Sequence, residues 1–130
     1  MPISQTPAAG KVYAVHLHDI VDSFKFLTDS PVMTITNASH AATLEQDRYR
    51  FVFNSGTPVS LTIPSNAPVG WQCLVLQYGA GAVTIVASGG ALRSRESHTK
   101  TAGLNAQAYL WVAANAGNAP QVALSGDTAI

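Results

Sequence analysis

PVGWQCLVLQYGAGAVTIVAS, residues 68–88, sets two apolar β-type runs on either side of Gly79-Ala80-Gly81-Ala82. Before the tetrapeptide Leu74, Leu76 and Tyr78 alternate with Cys73, Val75 and Gln77; after it Val83, Ile85 and Ala87 alternate with Thr84, Val86 and Ser88. Alternation at period two marks strands with two unlike faces, and small residues between them mark a tight connection, so the stretch predicts a β-hairpin. Gly79 and Gly81 lack the Cβ that disfavours positive φ, and they also let another backbone approach closely.

Working outward, strand-like runs fall at residues 32–36, 48–53 and 59–63, closed by Asn37, by Asn54-Ser55-Gly56 and by Pro64-Ser65-Asn66. Later runs at residues 92–95, 106–113 and 121–124 are separated by Gly89-Gly90, by the polar residues 96–100 and by residues 115–120. Pro64 and Pro68 stop strands and stiffen the loop between them. Short strands with glycine, proline and asparagine punctuation predict an all-β domain, an antiparallel β-sandwich or a barrel-like, jelly-roll-like arrangement. No βαβ alternation is present.

Residues 1–10 carry two prolines and no periodicity, which predicts an extended N-terminal arm. Val12, Ala14, His16 and His18 then alternate as in a strand, whereas Leu17, Ile20, Val21, Phe24 and Leu27 fall at helical spacing. A strand to about Leu17 followed by one short helix, or by a second strand, both fit. Asp29-Ser30-Pro31 ends the segment, because the residue before proline is pushed out of the helical region. The expected division is an arm or docking segment over 1–31 and a β-domain over 32–130.

The chain has 130 residues, the length of one ordinary domain. Seven basic residues balance seven acidic ones, and charged residues make up only 11%. That composition offers no electrostatic case for nucleic acid or an anionic membrane. With 47% hydrophobic residues, the surface is weakly repelling and favours self-assembly. Cys73 is the single cysteine, so no disulfide forms within the chain, and its apolar neighbours make it a small buried hydrophobe. The N-terminus has no apolar signal core and no stretch reaches a membrane span, so use without a cleaved export signal is expected.

RYRFVFNSG, VSLTIPSNAPVG, LVLQYGAGAVTIVAS and LSGD follow one another between Arg48 and Asp127. This series resembles the β-domain of tailed-bacteriophage virion structural proteins, the head-decoration, head-fibre and tail-fibre group. There an apolar VTIP strand, a PVG turn, a QxGAGxVTI hairpin and a terminal SGD recur in this order. The matching pieces are Leu61-Thr62-Ile63-Pro64, Pro68-Val69-Gly70, the nine residues from Gln77 to Ile85, and Ser125-Gly126-Asp127. Two departures stand out: the stretch after Ala87 is compressed, and an NAGNAP insertion separates Trp111 from the terminal SGD. Residues 1–35 have no counterpart.

The resemblance implies a noncatalytic virion subunit without a cofactor, made in the host cytoplasm and assembled as a symmetric homo-oligomer, with a trimer favoured. The short chain, without a repetitive shaft, favours a capsid decoration or head-fibre protein on the major capsid protein over the alternative, a tail-fibre or tail-tip module recognising host glycans. Neither nucleic acid nor membrane is expected as a partner. On this reading Val12, Tyr13, Phe24 and Phe26 make capsid or subunit contacts.

His16 and His18 point to one face if they lie on a strand, and three such pairs could hold a metal ion on a trimer axis. Two partly exposed histidines without metal are the preferred reading. Asp19 with Asp22, and Glu45 with Asp47 beside Arg48 and Arg50, are expected to be solvated loop charges rather than an acid–base pair. No Gly-x-Ser-x-Gly elbow and no phosphate loop occurs. Arg93, Arg95, His98 and Lys100 form the one dense polar segment, a candidate for surface recognition against a solvated loop as the plainer alternative. Trp71, Tyr78, Tyr109 and Trp111 could form a sugar platform, with core or interface packing the preferred reading.

Overall fold

Strand-forming residues alternate buried and exposed through most of the chain that the computed structural model describes, residues 30–130. Pro31–Ile130 forms one unit. The expected arm, its helix or strand, and the contact candidates Val12, Tyr13, Phe24, Phe26, His16 and His18 lie outside the described residues.

The strands are β1 (Val32–Ile35), β2 (Ser39–Ala41), β3 (Tyr49–Phe53), β4 (Val59–Ile63), β5 (Gln72–Gln77), β6 (Val83–Ala87), β7 (Ala91–Ser94), β8 (Lys100–Thr101), β9 (Gln107–Asn115), β10 (Pro120–Gly126) and β11 (Thr128–Ala129). Short 3₁₀ turns occupy Leu44–Gln46 and Arg95–Ser97. A front sheet has the order β1-β3-β5-β9-β10-β7 and a back sheet the order β11-β8-β6-β4-β2. The all-β sandwich expected from the sequence is therefore what the chain forms. The sheets are mixed: β1, β3 and β5 are parallel neighbours, as are β2, β4 and β6, while β9 and β10 form a long antiparallel hairpin.

The connection through Gly79 to Ala82 is not the expected hairpin. Strand β5 pairs with β3 and β9 in the front sheet, whereas β6 pairs with β4 and β8 in the back sheet. The chain therefore crosses the core at residues 78–82 in an arch, and it crosses again at each connection from β1 through β6. Neither Gly79 nor Gly81 has positive φ. Their role is close approach: a Cβ on Gly81 would overlap the Thr57 carbonyl, and one on Gly79 the Ser55 backbone.

Successive arches stack through backbone hydrogen bonds. The Gly81 N–H donates to Ser55 O at 2.8 Å, Val59 N–H to Ala82 O at 2.9 Å, and Tyr78 N–H to Phe53 O at 2.9 Å. One level earlier, Asn54 N–H reaches Ile35 O at 2.9 Å and Ser60 N–H reaches Ala38 O at 3.2 Å. Stacking thus satisfies the polar backbone of turns that would otherwise leave it unpaired.

Between the sheets, Phe51, Phe53 and Val75 from the front meet Leu61, Ile63 and Val83 from the back, all with no exposed surface. Each such side chain contributes roughly 1.5–3 kcal/mol by leaving water. Trp71 is core, only 2% exposed, and its Nε1–H donates to Leu44 O at 3.3 Å.

Candidate binding face

The outward positions of the two sheets differ in chemistry. On the back sheet Ser39, Ser60, Thr84 and Lys100 lie in one row across adjacent strands. These residues are short and polar, or charged, and the next row holds Ala41, Thr62 and Val86, so that face is mostly polar and carries no aromatic side chain. On the front sheet one row runs Arg50, Leu74, Tyr109, Ser125, and the next runs Gln72, Trp111, Ala123, Arg93. Val52 and Leu76 pair beside them. The front face is thus apolar at its centre, with an arginine on each flank.

Strand periodicity accounts for this placement. Ala108, Leu110 and Val112 of β9 point into the core, so Tyr109 and Trp111 must point out, where they remain 38% and 42% exposed. The Tyr109 hydroxyl donates to Gln72 Oε1 at 2.7 Å. Arg93 Nε–H donates to Gln121 Oε1 at 2.8 Å, which fixes one edge of the guanidinium and leaves its two Nη groups with no hydrogen bond to the described residues. Glu45, Asp47, Glu96 and Asp127 all lie outside the strands of this sheet, and Asp47 reaches its edge at the Gln72 N–H.

The residues of the polar segment are dispersed. Arg93 belongs to the front sheet and Lys100 to the back sheet, and the chain passes between them through Arg95 and His98. His98 serves the fold: its Nδ1 lies 2.8 Å from Thr128 Oγ1, its Nε2 is 3.5 Å from Glu96 Oε1, and its carbonyl accepts from the Ser94 hydroxyl. These contacts hold Glu96 and Ser97 in the left-handed region, at φ 60° and 61°, which costs non-glycine residues about 1–3 kcal/mol.

Of the expected aromatics, Trp71 is buried, while Trp111 and Tyr109 share the outer front face and Tyr78 projects from the arch, 58% exposed. The Asp47–Arg48 pair is 3.9 Å apart and exposed, so it is weak; Asp47 instead accepts the Gln72 N–H at 2.9 Å. Burial, with a smaller push from the Asp47 carboxylate, raises the Cys73 thiol far above its ordinary range, which leaves it inert. An open groove of about 530 Å³ lies between residues 102–106 and 126–128, with Asp127 its one titratable group. Among the described residues, no three of His, Cys, Asp and Glu gather as a metal-ligand set.

In the sequence Trp111 and Arg93 belong to separate features, an aromatic set and a polar loop. Their union depends on the parallel pairing of β10 with β7, which puts Ala123 opposite Arg93. Neither a protein-family model nor a curated protein matches the chain.

Proposed function

We propose that the chain is a noncatalytic structural subunit of a tailed-phage virion, a small decoration or head-fibre protein on the major capsid protein. Residues 1–31 dock on the shell or on a neighbouring subunit, residues 32–130 form the body, and the assembly is a symmetric oligomer with a trimer favoured.

What supports this reading is the work done by the motif residues that carry the virion resemblance. Leu61, Thr62 and Ile63 end β4, and Gly70 turns the chain at φ 95°. Gly79 and Gly81 admit the arch below them. Gly126 reaches φ 107° with its backbone against Gln107. All of them build a stacked, rigid body, and none gathers reactive groups. Balanced, sparse charge suits subunits repeated side by side.

Addition of the protein to capsids that lack it tests the assignment. Full-length protein is expected to decorate the shell at saturating occupancy, while a chain missing residues 1–31 keeps a β-type circular dichroism spectrum and does not bind. Full occupancy by the folded, shortened chain would overturn the assignment of docking to the N-terminal segment.

A further inference from the structure

We propose that the outer face of the front sheet binds a carboxylated polysaccharide, with Trp111 and Tyr109 as the stacking platform and Arg93 as the carboxylate receptor. The site belongs to the β-domain alone and holds whether or not the chain is a capsid subunit.

The first ground is geometry. Trp111 and Tyr109 stand two residues apart on one side of β9, both well exposed, whereas the other tryptophan is buried in the core. Ala123 is the neighbour of Trp111 across the β9–β10 pair, so the indole is not walled in on that side. Flat aromatic surface bordered by amides suits a sugar ring, whose C–H bonds pack on the π-face while its hydroxyls find polar partners. Gln72 and Gln121 supply those amides: each is oriented within the chain, Gln72 by the Tyr109 hydroxyl and Gly70 O and Gln121 by Arg93 and Ala119 O, which leaves the second N–H of each for a sugar hydroxyl and fixes the phenol before any ligand arrives.

The second ground is charge complementarity. Arg93 lies two strands from Trp111, and Arg50 two strands from Tyr109 on the opposite flank, each about 10 Å away. No carboxylate occupies the described strands of this sheet. Gln121 holds Arg93 at Nε, so the two Nη groups present the fork that binds a carboxylate through paired hydrogen bonds.

The same features argue against a second copy of the chain. Two such faces would bring arginines together with no acid between them. The rows from β3 to β7 span only about 19 Å by 13 Å between Cα positions. A single polymer strand needs no larger surface.

The experiment is titration of the intact chain with oligomers of galacturonate, alginate, hyaluronan and polysialate, followed by calorimetry and by tryptophan emission. At least one oligomer is expected to bind saturably, with affinity falling about tenfold or more in Trp111→Ala and in Arg93→Gln. Methyl esterification of the sugar carboxylates should remove the difference between wild type and Arg93→Gln while leaving the Trp111→Ala loss. Thr84→Ala on the back sheet should bind as wild type, and unchanged thermal melting of all variants shows that the fold is intact. Silence across the four acidic oligomers, binding indifferent to both front-face substitutions, or binding to polyglutamate but to no saccharide would overturn the proposal.

Discussion

The Thr101 hydroxyl donates a 2.6 Å hydrogen bond to Gln77 Oε1, joining β8 of the back sheet to β5 of the front sheet where neither side chain reaches water. Thr101 Oγ1 also accepts the Val83 N–H at 2.8 Å, and Gln77 Nε2 donates to Gly79 O at 3.1 Å. Gln77 therefore holds the arch that follows it, which gives the glutamine of the QYGAG sequence a physical role.

Thr101→Val leaves Gln77 Oε1 and the Val83 N–H buried without these partners, and is expected to cost about 3 kcal/mol in urea unfolding. The Gln77→Leu, Thr101→Val double variant should cost less than the sum of the single changes, because the two side chains act as one network.

Gly81→Ala must displace the Thr57 carbonyl, and so the arch beneath it. A loss of more than about 2 kcal/mol is expected from that overpacking. Gly56→Ala meets no atom within 4 Å and no positive φ, so its unfolding free energy should change by less than about 0.5 kcal/mol. Equal effects at the two positions would contradict the stacked arches.

The strands themselves were legible in the sequence, because Phe51 and Phe53, Leu61 and Ile63, and Val75 and Gln77 alternate with outward residues at period two. The partners were not. Period two is the same in a hairpin and in an arch, and Gly79-Ala80-Gly81-Ala82 suits either connection. The missed signal is a degenerate repeat: Val59 pairs with Val83 and Tyr49 with Cys73, an offset of 24 positions in both sheets (59 to 83, 49 to 73). Strand β2 carries no such signal, because Ser39 and Ala41 face outward and present no apolar stripe. The binding face was illegible for a related reason, since Arg93 joins Trp111 only through a parallel pairing of distant strands.

Parallel register gives a direct covalent test. Val52 and Leu76 are partners on the outer face of β3 and β5. Cysteines at both positions, in a Cys73→Ala background, lie at a separation of about 5 Å that a disulfide can span. Oxidation should link them in the folded protein. Failure to form the link would contradict the parallel register of β3 with β5.

Cys73 predicts an alkaline limit to stability. Its thiol stays neutral in the fold because burial raises its pKa, while in the unfolded chain it ionises near pH 9. The contribution is fully present below that pH and is lost as pH rises above it, by about 1.4 kcal/mol per pH unit. Cys73→Ala should remove this slope relative to wild type. Iodoacetamide should modify the thiol at pH 8 only in denaturant.

Cryo-electron microscopy of purified virus particles from a phage whose genome carries this sequence tests the proposed virion assignment most directly. The predicted result is density for the two-sheet body of residues 31–130 at symmetric positions on the capsid surface, with the N-terminal residues against the shell. Complete particles without that density, and without peptides of the chain in their mass spectra, would contradict it.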